Sequence, residues 1–247
     1  MEPIYLLYSL KDEIRFLSKK HIFHTGNKII TNCIGVGKRA AKENLEKLFP
    51  LRSSPENSAA SNHPKKLFLT GFCGALAPDL QTGDIILEEW EEGALLSARM
   101  IQKNQELMTI NFFKGSNKSE NEKIPLLHCH SSVAGSPQEK RKLFHATKTQ
   151  QIAVDMESQA VIEISRKFKA RLTILKVVLD EADFDIRFPA ELLFDINQQK
   201  VPYIRMLAYI ARHPKSIKSL LNLAKRSQKA ARRLGEVGAE LLETEIS

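Results

Sequence analysis

Cysteine is scarce in this 247-residue chain, and the three copies, Cys33, Cys73 and Cys129, form no CxxC pair. An odd, scattered set argues against a disulfide framework and against a thiolate zinc site, so these residues read as reduced thiols of the core. Long apolar runs are missing as well: no window approaches the roughly 18 consecutive apolar residues of a membrane-spanning helix. Met1-Glu2-Pro3 lacks the basic and apolar regions of a signal peptide, and the expected location is the cytosol. There is no Gly-x-Ser-x-Gly elbow and Cys73 has no base beside it in sequence, which argues against a nucleophilic serine or cysteine. Neither an internal repeat nor a low-complexity linker divides the chain.

Acid is absent from one long stretch. Between Ile196 and Gly235 there is no Asp or Glu, while Lys200, Arg205, Arg212, Lys215, Lys218, Lys225, Arg226, Lys229, Arg232 and Arg233 all fall there. The net charge of +8 therefore sits in the C-terminal tail, leaving 27 basic against 29 acidic side chains elsewhere.

A content of 43% hydrophobic and 27% charged residues suits one large α/β domain or two small ones. Short apolar runs recur at Ile4 to Ser9, Leu67 to Phe72, Ile85 to Leu87, Met108 to Phe112, Leu126 to Ser131, Ile152 to Asp155 and Leu172 to Leu179. Helical patterns lie between them, which predicts a mixed, largely buried sheet with helices on both faces, a three-layer α/β/α architecture. The polar stretches Arg52 to Lys65 and Lys114 to Lys123 read as surface loops, and the chain from about Val201 reads as helical with a break at Pro214.

Three carboxylates stand just past expected strand ends, the edge where open α/β sheets bind ligands. Glu13 follows the first strand, Glu157 opens a helix, and Asp180 ends the most apolar strand. Taken singly, each also suits an ordinary helix-dipole or capping role.

Their neighbours resemble the nucleoside phosphorylase/nucleosidase family, above all its methylthioadenosine/adenosylhomocysteine nucleosidase branch. Leu69-Thr70-Gly71-Phe72-Cys73-Gly74-Ala75-Leu76-Ala77-Pro78 followed by Thr82-Gly83-Asp84-Ile85-Ile86 is similar to the family's base-site turn and the strand after it. Ala153-Val154-Asp155-Met156-Glu157-Ser158 resembles its ribose-binding segment, and Val178-Leu179-Asp180-Glu181-Ala182-Asp183 its acid-bearing segment. Ser9-Leu10-Lys11-Asp12-Glu13-Ile14 lines up with the N-terminal acidic segment, and Gly35-Val36-Gly37-Lys38 with the glycine turn before the first long helix. Val154-Asp155-Met156-Glu157-Ser158, with Arg212-His213-Pro214 and the basic helical tail after it, looks closest to the hopanoid-associated branch. The resemblance implies a catalytic domain over residues 1–200 and, over 201–247, a basic helical extension of the same domain.

What the resemblance implies chemically is cleavage of the N-glycosidic bond of a purine nucleoside, adenine being the expected base. The substrate would carry a 5'-substituted ribose, and a lipid-linked adenosyl compound such as adenosylhopane is one form of it. The sugar becomes oxocarbenium-like as the base leaves. Asp180 matches the residue that protonates purine N7, and Glu13 the one that accepts a proton from the attacking water. Glu157 would hold the ribose hydroxyls and Met156 would pack on the ribose, while Phe72, Cys73 and Gly74 would line the base-site turn. No metal or other cofactor is implied, with phosphate left open as a co-substrate.

Departures from the family bear on the nucleophile. Leu69 and Phe72 stand where hexameric phosphorylases place an Arg and a Ser against phosphate, which favours hydrolysis, although Lys11, Arg15 or Lys38 could compensate. Leu179 stands where a Ser usually orients the acid. Phe72, Phe184 and Phe188 are the apolar residues expected near the 5'-substituent. A homo-oligomer is expected, as in the family. A phosphorolytic enzyme and a non-catalytic nucleoside binder are the competing functions.

Other signals carry less. Gly35-Val36-Gly37-Lys38-Arg39-Ala40 fits GxGxxA, but the next buried strand does not end in the acid that a dinucleotide site needs, so a tight strand-to-helix turn is the simpler meaning. His128-Cys129-His130 has no nearby acid to complete a metal site. In the tail, Ile217, Leu220, Leu221, Ala224, Ala231 and Leu234 share one helical face and Lys218, Lys225, Lys229 and Arg232 another. That pattern fits a helix docked on the body, then contact with an anionic membrane surface; nucleic acid, lacking a binding motif or interleaved aromatics, fits least.

Overall fold

The three most apolar runs of the sequence become the middle of the sheet. The structure is a computed structural model that describes residues 2–17, 29–50, 63–103, 124–148, 150–186, 188–189, 192, 194–195, 202–214 and 216–246. Its strands are β1 (Ile4–Tyr8), β2 (Ile29–Cys33), β3 (Lys66–Ala75), β4 (Ile85–Glu91), β5 (Ala94–Ile101), β6 (Leu127–Cys129), β7 (Ala153–Asp155) and β8 (Arg171–Asp180). Its longer helices are α1 (Lys38–Leu48), α2 (Pro137–Ala146), α3 (Ser158–Phe168), α4 (Tyr203–Arg212) and α5 (Ser216–Ile246), with Pro214 between the last two.

The sheet order is β2-β1-β3-β8-β4-β5, with β7 on the far end of β3 and β6 on β7. β2, β1, β3 and β8 run parallel, while β4 is antiparallel to β8 and β5 to β4. Side chains alternate between the two faces of a strand, and here both faces are covered. Tyr5, Leu7, Leu67, Leu69, Leu172 and Ile174 pack with Ala41 and Leu45 of α1 and Ala160, Val161 and Ile164 of α3. Ile4, Leu6, Phe68, Leu175 and Val177 pack instead with Ala230, Leu234, Val237, Leu241 and Leu242 of α5. The result is the expected α/β/α layering, with the second half of the basic tail serving as a core helix.

Two strands were not expected from the sequence. β2 and β5 are the sheet's outermost strands in that order and are mostly half-exposed, so their sequences, IITNC and ALLSARMI, lack a long apolar run. The expected strand Met108 to Phe112, the loop Lys114 to Lys123 and nearly all of Arg52 to Lys65 lie outside the described residues.

One irregularity positions the site. Along the β3–β8 ladder Cys73 opposes Val178, but Gly74 opposes Asp180, so Leu179 is skipped. Such a bulge re-aims side chains at a sheet rim. Asp180 thereby comes to lie against the glycine of the base-site turn, where a Cβ on Gly74 would stand 3.5 Å from Asp180 Oδ1.

Candidate active site

At the carboxyl ends of β1, β3 and β8 lies a cavity of about 770 Å³, within the roughly 300–1,000 Å³ usual for small-molecule sites. Glu13, Phe72, Cys73, Gly74, Met156, Glu157 and Asp180 all line it. The residues singled out from the sequence for proton transfer, the ribose and the base-site turn thus meet at one place, although Glu13 and Asp180 are far apart in the chain.

Glu13 sits in the turn after β1 and is held by the backbone. The N–H groups of Ser9 and Leu10 donate to Oε2 at 2.8 and 3.0 Å, and that of Phe72 donates to Oε1 at 3.1 Å. Its approach to β3 requires a glycine there: a Cβ on Gly71 would stand 2.8 Å from Oε1. Burial pushes the carboxyl up to about 6, aided by the charge of Glu157 and opposed by Lys176 and the backbone donors. Above that pH Glu13 is a carboxylate, and Oε1, with one donor, retains capacity to accept a proton.

Glu157 immediately precedes α3 but does not cap it. Asp155 does, accepting from Ser158 N at 3.0 Å and Ser158 Oγ at 2.6 Å. Glu157 instead accepts from Gly37 N at 2.9 Å and from Lys176 Nζ at 3.3 Å. The glycine turn before α1 is therefore a strand-to-helix connection whose amide holds a site carboxylate. Lys176, wholly buried in the middle of β8, also pairs with Asp155 at 3.1 Å. Burial pushes Glu157 up and Lys176 pulls it back, while Asp155, Glu157 and Glu13 overcome the cost of burying Lys176 and keep it charged.

Asp180 has a partner that the sequence did not disclose. Lys140, on α2, has no exposed surface; its ammonium donates to Asp180 Oδ2 and to the carbonyl of Glu181 at 2.6 Å. Burial raises the proton affinity of Asp180, and Lys140, then Arg226, counteracts it. Leu179, which replaces the expected hydroxyl, itself lines the cavity.

Two expectations need correction. Phe184 and Phe188 are not on the cavity wall: Arg226 lies 4.4 Å over the Phe184 ring, and Phe188 is buried edge-on to Tyr209 at 5.0 Å. Phe72 does line it, and the rest of the apolar wall is formed by Phe16, Ile186, Phe194, Leu220 and Leu223. Of the cations proposed to meet phosphate, Lys38 pairs with Glu163 at 3.2 Å and Lys11 is off the wall; among the described residues Arg15 is the one Lys or Arg lining the cavity. Cys73 does line it, and burial pushes its thiol well above the ordinary range, away from a nucleophilic thiolate.

Lys140, Lys176 and Asp155 were missed. The signal for Lys176 was a lysine inside the run Ile174 to Leu179, where a buried charge needs partners. For Lys140 it was fainter: Leu143 and Phe144 follow at i+3 and i+4, placing the lysine on the apolar face of its helix.

The same arrangement of strands occurs in solved enzymes. A 5'-methylthioadenosine/S-adenosylhomocysteine nucleosidase from Helicobacter pylori, solved with butyl-thio-DADMe-Immucillin-A, superposes with a TM-score of 0.58 at 14% identity over 99% of each chain. The enzyme of that name from Neisseria meningitidis, with methylthio-immucillin-A, gives 0.56 at 14% identity over 99% of this chain and all of that one. Futalosine hydrolase of Helicobacter pylori gives 0.50 at 16% identity over 94% of this chain and 95% of that one. The chain has the nucleoside phosphorylase/nucleosidase fold. No family model matches it, and no curated protein matches it in sequence. On this nucleosidase fold the carboxyl-end rim holds Glu13, Glu157 and Asp180 together, and α5 closes one side of the cavity through Leu220, Leu223 and Ala224.

Proposed function

We propose that this protein is an N-ribosyl hydrolase that releases adenine from a nucleoside carrying an apolar 5'-substituent. The observation that carries the reading is the convergence of Glu13, Glu157 and Asp180 on one cavity, each in a different environment. Asp180 gives its proton to N7 as the C1'–N9 bond breaks, so adenine leaves neutral. Glu13 takes a proton from the water whose oxygen bonds to C1', and Glu157 accepts hydrogen bonds from the ribose hydroxyls, strengthening as the sugar becomes cationic. Met156 packs against the ribose, and Phe72, Cys73 and Gly74 flank the base.

Two features support the finer choices. Lys140 and Lys176 are committed to carboxylates, and Arg15 is the sole cation on the described wall, which favours water over phosphate. The apolar wall suits a thioalkyl group or a polycyclic lipid such as the hopane of adenosylhopane. Arg15 is also the observation that keeps phosphorolysis as the second reading. The test is adenine release from methylthioadenosine, adenosylhomocysteine and an adenosyl lipid, with and without phosphate. Release without phosphate, lost in Asp180→Asn, is the expected result; dependence on phosphate selects the second reading, and no release from any nucleoside defeats both.

The reading extends to a homo-oligomer working at the cytoplasmic face of an anionic membrane. Among the described residues no helix is long and apolar enough to cross a bilayer. Helix α4 nevertheless exposes Tyr203, Ile204 and Leu207 at 65%, 85% and 63%. At 100° per residue they form one apolar arc, with Arg205 and Arg212 together on the other side of the helix, and no acid lies nearby in the chain, so the segment carries a net positive charge that complements anionic lipid. Cosedimentation with phosphatidylglycerol vesicles but not phosphatidylcholine vesicles, lost in Ile204→Asp, is the expected outcome. Equal pelleting with both kinds, or none, counts against it.

A further inference from the structure

We infer that Lys140 is the positioning residue for proton donation by Asp180, taking the place of the hydroxyl that Leu179 cannot supply. The inference rests on the nucleosidase reading and adds a residue to it.

Several features fix Lys140 in place. Helix α2 opens with a capping box in which Ser136 Oγ accepts from Glu139 N at 3.3 Å and Glu139 Oε2 accepts from Ser136 N at 3.2 Å, one residue before Lys140. Leu143 and Phe144 on the same face pack against Leu76, Ala134 and Val154 and hold that turn to the wall. The ammonium has two acceptors, Asp180 Oδ2 and the Glu181 carbonyl. Both follow directly on Leu179, the residue skipped in the β3–β8 ladder, so the pair bridges α2 to the bulge that aims Asp180.

This geometry has a chemical consequence. With Oδ2 bound to the ammonium, Oδ1 is the oxygen left to donate a proton, and it is the one nearer Gly74 in the base-site turn. When Asp180 passes its proton from Oδ1 to N7, the electron pair of the O–H bond stays on the carboxylate. That new charge forms beside an ammonium already in position, without reorganisation by water. A buried carboxyl without that cation would keep its proton too tightly to give it up, and one fully exposed to it in water would have no proton to give. Burial and Lys140 act in opposite directions on Asp180, and Arg226, itself held by Glu181, adds a weaker pull in the same direction as Lys140.

The test compares two leaving groups. Methylthioadenosine needs a proton at N7, whereas nitrophenyl riboside departs as a stable anion and needs none. For Lys140→Met the expected loss in kcat/KM on methylthioadenosine is about a hundredfold or more, the scale of general-acid assistance. On nitrophenyl riboside it is expected to stay within a few-fold. The high-pH limb on methylthioadenosine should move upward in Lys140→Met and hold its place in Lys140→Arg. The double variant Lys140→Met/Asp180→Asn should be no slower than Asp180→Asn, since both act on one proton transfer. Should Lys140→Met fail to fold, Lys140→Arg and the double variant, which removes both charges together, carry the comparison. Equal losses on the two substrates, multiplying losses in the double variant, or an unimpaired Lys140→Met overturns the inference while leaving the hydrolase standing. A wild-type protein inactive on both substrates and also on adenosylhomocysteine and an adenosyl lipid overturns the hydrolase, and this inference with it.

Discussion

Lys176 Nζ lies 3.1 Å from Asp155 Oδ2, and neither side chain is exposed at all. The same ammonium reaches Glu157 at 3.3 Å, so one cation answers two carboxylates, one capping α3 and one facing the cavity. Removing one partner of a buried pair strands the other. Lys176→Met is expected to cost about 3–5 kcal/mol in stability near pH 8. Burial already pushes Glu157 up, and that variant removes the cation that pulls it back, so its folded pKa rises further above the unfolded one. A raised carboxyl stabilises the fold below its unfolded pKa and loses that contribution as pH rises through the folded value. The deficit should therefore shrink as pH falls toward 5. Urea unfolding at pH 8 and pH 5 checks both the size and the sign; a deficit that is constant or grows on acidification contradicts the pairing.

The pH dependence of the reaction follows from Glu13. Its raised pKa of about 6 means that the base is protonated and idle in mild acid and active above it. The kcat/KM profile for adenine release should rise with pH through about 6. Glu13→Gln should flatten that limb and lower the rate roughly 10²–10⁴-fold. A wild-type rise centred near 4 would mean that the base is a more exposed carboxylate.

Gly71 tests the position of that carboxylate rather than its charge. An added Cβ would lie 2.8 Å from Glu13 Oε1, at a residue whose φ is 155°, so either the carboxylate or the strand must shift. Misplacement by about 1 Å costs on the order of a hundredfold in rate. Gly71→Ala is expected to lose about that much in kcat. Steady-state kinetics alongside thermal unfolding distinguish a displaced base from an unfolded protein. A variant of unchanged rate would show that Glu13 need not sit where it does.

The sheet's centre was legible because apolar runs such as Leu172 to Leu179 have no alternative to burial on both faces. The carboxylates were legible for another reason: each lies at or just beyond the carboxyl end of such a strand, where the topology gathers residues distant in sequence. What the sequence hid was the cations. Lys176 and Lys140 are defined by carboxylates contributed from other elements, Asp155 and Glu157 beside α3 and Asp180 at the end of β8, and spacing along the chain does not record those meetings. Phe184 and Phe188 misled because proximity in sequence to Asp180 stood in for direction. The chain turns after Glu181, and the rings face Arg226 and Tyr209.

The sequence pattern puts Leu221 and Leu234 on one apolar face of the tail after Pro214, and the structure gives the two different surroundings. Leu234 in α5 has no exposed surface and belongs to the cluster with Ile4, Leu6 and Phe68 beneath the sheet, whereas Leu221, thirteen residues earlier on the same helix, is 57% exposed. A Leu→Ala change costs in proportion to the contacts and cavity it leaves, about 2–5 kcal/mol in a core and within about 0.5 kcal/mol on a surface. Leu234→Ala should therefore lower the urea midpoint markedly at unchanged slope, and Leu221→Ala should leave it nearly in place. Equal effects would mean that α5 does not complete the core through its second half. Because Leu220 and Leu223 line the cavity from the first half of the same helix, Leu234→Ala should also weaken substrate binding, raising KM as α5 loosens against the sheet. A destabilised variant whose KM is unchanged would show that the cavity wall holds without its anchor.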